Sequence, residues 1–155
     1  MVNNVYYIYD SLFGNIVIES DGNSITGIKT EGSAEPDGKK EANTLTDITA
    51  MQLEEYFAGK RKRFDVQLNP SGTDFQHLVW NALREIPYGK TKSYKQIAQD
   101  VGNPKACRAV GLANNKNPIW IMIPCHRVIG TNGTLTGYGG GLAMKQKLLE
   151  LERGY

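Results

Sequence analysis

The chain has 155 residues, 40% of them hydrophobic, and a formal net charge of +2, enough material for one buried core or two small ones. The N-terminus carries no apolar signal segment and no stretch approaches the length of a membrane span, so a soluble, cytoplasmic protein without membrane association is expected. Two cysteines and two histidines are too few for a closed zinc site, and that compartment argues against a disulfide between Cys107 and Cys125, so no metal is expected.

In chain order, Tyr7-Ile8-Tyr9, Ile16-Val17-Ile18 and Ile25-Thr26-Gly27-Ile28 read as short strands, with Asp21-Gly22 as a hairpin signal between the second and third. Residues 30–43 are polar and rich in Gly, Glu and Lys, the composition of a long loop. A helix is predicted from Thr46 to Phe57, burying Ile48, Met51 and Tyr56 and ended by Gly59. The basic run Lys60 to Arg63 precedes Phe64-Asp65-Val66-Gln67-Leu68, which reads as a strand. Such a run is more often a solvated turn than a nucleic-acid patch.

The pattern changes at Asn69-Pro70-Ser71-Gly72, which places a boundary between an N-terminal domain, 1–70, and a C-terminal domain, 71–155. The first part carries 7 Lys+Arg against 11 Asp+Glu, a net of −4, and the second 11 against 5, a net of +6. A basic second half suits a phosphate-bearing partner, although many basic domains are merely soluble. Thr73 with Gln76 forms a capping-box pattern, after which Phe75, Leu78, Val79, Ala82, Leu83 and Ile86 trace one apolar face as far as Pro87-Tyr88-Gly89. Ser93 with Gln96 opens a second helix through Tyr94, Ile97, Ala98 and Val101. After Gly102, Asn103 is positioned to cap a third helix, with Pro104 at its first turn, running from Lys105 to about Asn114. The pair is a helix-turn-helix candidate whose second member, with Cys107, Arg108, Ala109, Gly111 and Ala113, has little bulk besides one arginine. An ordinary helix hairpin packed on a core fits the same pattern.

Ile119-Trp120-Ile121-Met122-Ile123-Pro124 reads as a buried strand that delivers Cys125-His126-Arg127 to its end. A thiol beside an imidazole that can take its proton is a route to a reactive thiolate, and a small buried hydrophobe beside a core histidine is the bland alternative. From Gly141 the residues 142–152 lack breakers, and Leu142, Leu148 and Leu149 share a helical stripe. Glu152 lies four residues after Leu148 and three after Leu149, so a helix aims it inward. A carboxylate there needs a partner, and a histidine N–H would also fix the imidazole's tautomer. A glutamate that simply reaches solvent from the helix end is the other reading.

The run Ile121-Met122-Ile123-Pro124-Cys125-His126-Arg127-Val128, with Tyr94, Arg108, Asn117 and Glu152 in step, resembles the O6-alkylguanine-DNA alkyltransferases, or methylated-DNA protein-cysteine methyltransferases. The resemblance extends from about Phe75 to Glu152 and is loose before that. It implies an α/β (α+β) protein, with a small antiparallel-sheet, ribonuclease-H-like N-terminal domain and a mainly helical winged-helix or helix-turn-helix C-terminal one. It implies Cys125 as alkyl acceptor, His126 as a base acting through a water, Glu152 as its orienter and Asn117 as a support of the active-site turn. Arg108 would replace the extruded base, and Tyr94 would press on the phosphate and supply a proton. Cys107 and Ala109 would lie on the helix entering the minor groove, with no chemical role for Cys107. Tyr138, Gly139, Val128 and Asn114 would line the guanine pocket, and Gly139 is expected to leave room for adducts bulkier than methyl.

The implied activity is irreversible, once-only repair of O6-alkylguanine, and of O4-alkylthymine, in duplex DNA by a monomer. It needs no cofactor and no methyl donor such as S-adenosylmethionine. The rival readings are a lesion-binding protein without transfer activity, a cysteine hydrolase and a plain transcriptional regulator. Cys125 argues against the first, the basic helix pair against the second, and Cys125-His126 with Glu152 against the third.

Overall fold

Alternating apolar residues near the N-terminus build a meander of three antiparallel strands, β1 (Val5–Tyr9), β2 (Ile16–Ser20) and β3 (Ile25–Thr30). The computed structural model describes residues 4–133 and 141–154. It divides into two units, 1–71 and 72–155. The β2–β3 connection closes as the Asp21-Gly22 signal predicts, because Asp21 Oδ1 accepts from the backbone N–H groups of Asn23 (2.9 Å) and Ser24 (2.8 Å). A two-residue strand, β4 (Lys39–Lys40), lies within the expected loop and pairs in parallel with β1, giving the order β3-β2-β1-β4.

Helix α1 (Thr44–Phe57) begins two residues earlier than expected because Asn43 caps it, in a box with Thr46. Its buried face is also not the predicted one. Tyr56 is buried, but Ile48 and Met51 are 39% and 51% exposed, while Thr46, Thr49, Gln52, Leu53 and Phe57 turn inward. Burying the threonines is inexpensive, since Thr46 and Thr49 return their hydroxyl protons to the carbonyls of Asn43 and Leu45. That frees the face with Leu53, Tyr56 and Phe57 to pack.

The run Phe64–Leu68 is not a strand. Only Leu68 bridges, to Ile25, while Asp65 is held by the amide of buried Gln52 and Phe64 packs on Tyr56 at 5.4 Å. The backbone ladder expected here is reduced to the two bonds of that bridge, from the Ile25 N–H to the Gln67 carbonyl and from the Asn69 N–H to the Ile25 carbonyl, both 2.8 Å, and side chains hold the rest.

The second unit contains α2 (Asp74–Arg84), β5 (Lys92–Ser93), α3 (Tyr94–Asp100), α4 (Cys107–Asn115), a single 3-10 turn (Cys125–Arg127), β6 (Val128–Ile129) and α5 (Leu142–Arg153). The capping boxes at Thr73/Gln76 and Ser93/Gln96 form as the sequence predicts. Along α2, Val79, Leu83 and the following Ile86 are buried, whereas Leu78 is 53% exposed and its place in the core is taken by Trp80, 1% exposed. Trp80 donates its indole N–H to the Ala113 carbonyl of α4 at 2.9 Å, so a large apolar ring enters the core with its polar atom satisfied.

Gly102, at φ +81°, reverses the chain between α3 and α4. Helix α4 starts at Cys107, later than expected: Asn103 accepts the Ala106 N–H in a turn instead of capping, and Ala106 at the N-cap makes no side-chain bond. The short parallel ladder β5–β6 pairs Lys92 with Val128 and Ser93 with Ile129, tying the start of α3 to the residue after the Cys-His-Arg turn. The α/β composition stands: a small sheet with one helix, then a mainly helical unit.

Replacing Thr73 by alanine leaves an orphan N–H at the start of α2 and is expected to reduce stability by about 1 kcal/mol, read from the urea midpoint; an unchanged midpoint would show that the cap does not contribute.

Candidate active site

The residues before Cys125 are not a strand. All six from Ile119 to Pro124 are buried, but the chain folds back so that Trp120 bridges Ile123. Asn117 imposes this reversal. Its side chain accepts from the Ile119 N–H (2.9 Å) and donates to the Ile123 carbonyl (2.8 Å), while its own carbonyl accepts the Trp120 indole N–H (3.1 Å). The reversal forces Ile121 to φ +73°, the sole non-glycine positive φ among the described residues. A β-branched residue there stores roughly 1–3 kcal/mol of strain. Apolar character marks the run as buried, but a burial pattern alone does not distinguish a strand from a stapled loop.

Behind the turn, one carboxylate gathers the site. Glu152, 6% exposed, receives His126 Nε2 at 2.6 Å on Oε2, Arg127 through Nε at 2.8 Å on Oε1 and Nη2 at 3.0 Å on Oε2, and the Gly89 N–H at 3.2 Å on Oε1. Arg127 also donates Nη1 to the Ile86 carbonyl at 2.7 Å and lies over the Tyr88 ring, 5.8 Å from its centroid. Gly89 presents its N–H from a left-handed turn at φ +80°, where a side chain would also crowd the Glu152 carbonyl. Burial would raise the Glu152 pKa, but the bonds and charges of His126 and Arg127 prevail and hold it well below the usual carboxylate range. For His126 burial dominates over Glu152 and lowers its pKa, favouring a neutral ring. With Nε2 turned to Glu152, Nδ1 is the remaining ring nitrogen, buried and without a hydrogen-bond partner among the described residues.

Cys125 is 3% exposed. Burial pushes its thiol up to about 11, opposed by a bond from Asn117, the charge of Lys145 and the backbone N–H groups of Cys125 and His126. Asn114 reaches the Cys125 carbonyl with Nδ2 at 3.4 Å, and its Oδ1 is buried without a partner among the described residues.

Cys125, His126, Glu152, Asn117 and Asn114 are thus brought together, and buried Val128 follows the turn directly. Tyr94, partly buried at the start of α3, lies beneath Lys145 Nζ, 6.0 Å from the ring centroid. Cys107, Arg108 and Ala109 occupy the exposed first turn of α4, away from the buried end at Asn114. Tyr138 and Gly139 lie outside the described residues.

The sequence reading gave no role to Arg127, Lys145 or the Gly89 N–H. For Lys145 a signal existed: it precedes Leu148 by three and Leu149 by four, the spacing that singled out Glu152. Leu142, expected on that stripe, is 50% exposed at the helix start.

A buried cysteine backed by a histidine–carboxylate–arginine cluster, on a unit with an exposed arginine-bearing helix, defines a cysteine-dependent group-transfer protein. Two family models cover the chain: the DNA binding domain of 6-O-methylguanine DNA methyltransferase over residues 74–154, and the ribonuclease-like domain of the same proteins over 4–70. The chain belongs to the 6-O-methylguanine DNA methyltransferase family. It is 52% identical to a methylated-DNA--protein-cysteine methyltransferase of Methanosarcina acetivorans, over 95% of this chain and 97% of that one. It is 48% identical to the protein so named from Mycobacterium tuberculosis, over 96% and 92%. Among solved structures it is similar to the M. tuberculosis O6-methylguanine methyltransferase, with TM-score 0.89 and 46% identity over 97% of this chain and 93% of that chain. It is also similar to M. tuberculosis OGT in complex with DNA, with TM-score 0.91 and 46% identity over 96% and 92%.

His126 and Glu152 both bind protons more weakly folded than unfolded, so their contribution is complete above 6.5, the ordinary histidine value, and is lost as pH falls, with the carboxylate's share going below 4.5. Glu152→Gln leaves Arg127 buried without its counter-charge and is expected to destabilise the fold by about 3 kcal/mol or more at neutral pH. It should also flatten the loss of stability below pH 4.5; urea unfolding across pH checks both, and parallel curves for the two proteins would contradict the assignment.

Proposed function

We propose that this protein repairs DNA directly, by moving the alkyl group of O6-alkylguanine, and of O4-alkylthymine, irreversibly to Cys125. The observation that carries the reading is the orientation of His126: Glu152 occupies Nε2, and buried Nδ1 is left as a proton acceptor on the residue next to the thiol. His126 takes the Cys125 proton through an intervening water. The sulfur then attacks the alkyl carbon in line, the S–C bond forms as the C–O bond breaks, and the electron pair stays on the guanine, where Tyr94 supplies a proton. The product thioether has no easy leaving path, so each molecule acts once.

An O6 adduct inside a duplex is inaccessible to a thiol that is 3% exposed, so the nucleotide must be turned out of the stack. Helix α4 suits this task. Its first turn exposes Arg108 between Cys107 and Ala109, and Lys95, Lys105 and Lys116 are exposed on or beside α3 and α4. Arg108 fills the gap left in the stack, small neighbours permit close approach in the minor groove, and the lysines meet phosphates. Tyr94, at the start of α3, presses on the phosphate of the turned-out nucleotide. Asn114 and Val128 contribute to the base pocket, and Asn117 maintains the turn. The cytoplasm is the proposed site of action, and no described helix is long and apolar enough to cross a membrane.

Incubation with duplex DNA containing O6-methylguanine is expected to add one methyl group per chain, on the peptide containing Cys125, measured by intact mass and peptide mapping. Cys125→Ala should abolish the gain while retaining DNA binding; binding by the wild type without any mass gain would favour a lesion-binding protein. Since unstacking a base costs a few kcal/mol, Arg108→Ala should slow single-turnover transfer from duplex DNA by about tenfold or more, and transfer from a single strand much less.

A further inference from the structure

Three large apolar side chains of the second unit are exposed among the described residues: Leu78 (53%), Leu112 (66%) and Leu142 (50%). Their surroundings differ. Leu78 borders a surface hollow that it shares with Glu85 and Asp100, and Leu142 opens α5. Leu112 lies on α4, the helix of Arg108, within a stretch, residues 101–149, that contains no Asp or Glu at all.

The packing of α4 fixes where Leu112 points. Val110, Ala113 and Asn114 form the buried side, and Gly111 turns toward the Tyr94 ring of α3. Arg108, Leu112, Asn115 and Lys116 are exposed. Arg108, Leu112 and Lys116 follow one another at intervals of four residues, so they stand on successive turns of one stripe, roughly 6 Å apart along the axis. Lys105 is exposed just before the helix. The stripe therefore holds a branched alkyl group between two cations, with no carboxylate near it in the chain.

The immediate neighbours of Arg108 are small, and Leu112 is the exception on this face. Cations hold a helix near a phosphate backbone, but their long, flexible stems do not fix how deeply it seats. An alkyl group does, because it gains only by leaving water against a surface that fits it. The sugars and base edges of the minor groove offer such a surface, and leucine is among the side chains that wedge there. We propose that Leu112 is a second DNA-contacting residue of α4, a positioning residue that enters the minor groove one turn from Arg108 and sets the depth at which the helix seats. The proposal rests on the reading of α4 as the element that meets duplex DNA, and its partner is that same duplex.

An alkyl contact and a phosphate contact leave different marks on salt dependence. Each phosphate neutralised adds about 0.9 to the slope of log affinity against log salt, and an alkyl contact adds nothing. Binding to an unalkylated duplex, followed by fluorescence anisotropy between about 50 and 200 mM salt, separates the two. Leu112→Ala should weaken binding by about tenfold at every salt concentration and leave the slope unchanged, whereas a lost phosphate contact lowers it by about 1. Leu112→Met should recover most of the loss. At 66% exposure the side chain contributes little to the core, so the urea midpoint of Leu112→Ala should not move. Unchanged affinity, or a lowered slope, would overturn the proposal while leaving the DNA reading intact. Self-association of the wild type without DNA, seen by sedimentation and abolished in Leu112→Ala, would place Leu112 between copies of this chain and overturn it as well. Failure of the wild type to bind duplex DNA at all would instead remove the DNA reading itself, and the proposal with it.

Discussion

Burial of Glu152 is the constraint on which the second unit depends. An ionised carboxylate at 6% exposure is tolerable only if its oxygens are saturated with donors, and the donors come from two separate parts of the chain. His126 and Arg127 reach it from the 3-10 turn, and the Gly89 N–H from the turn that ends α2. Arg127 extends the network to the Ile86 carbonyl. The carboxylate thus fixes the angle of α5, the closure of the Pro87-Tyr88-Gly89 turn and the tautomer of His126 together. Such a network rigidifies a site when complete and penalises the fold when any member is lost.

The same economy of parts appears on the other side of the thiol. Helix α4 exposes Arg108 in its first turn and buries Asn114 in its last, where the amide meets the Cys125 carbonyl. Under the proposed function, the element that enters DNA is the one that supports the nucleophile, with no loop between them to absorb error. Asn117, just beyond that helix, holds Ile121 in a strained conformation to aim the turn. The strain is stored four residues before Cys125, and such outliers tend to concentrate at functional sites.

Much of this was legible in the sequence, and the failures share a physical cause. Thr73/Gln76 and Ser93/Gln96 specify their helix starts because capping is a local exchange of side-chain and backbone bonds, complete within four residues. Glu152 was legible because a charge on an apolar stripe demands a partner. The segments Ile119–Pro124 and Phe64–Leu68 read as strands but are not, because side-chain bonds of Asn117 and Gln52 take the place of most of a ladder, and hydrophobic pattern does not register such substitutes. On α1 the apolar face lost to one in which threonines satisfy themselves locally. The role of Arg127 was not legible because it lies in three distant oxygens, the Ile86 carbonyl and both carboxylate oxygens of Glu152, which sequence adjacency to His126 does not indicate. Lys145 escaped because a lysine on a leucine-rich helix ordinarily snorkels to solvent.

The central claim is that Glu152 holds His126 in one tautomer, proton on Nε2, so that Nδ1 is the base available to the thiol. Nitrogen NMR of the His126 ring in the DNA-free protein near neutral pH tests it most directly. The account predicts a protonated Nε2 and an unprotonated Nδ1. A proton on Nδ1, alone or together with Nε2, would contradict it.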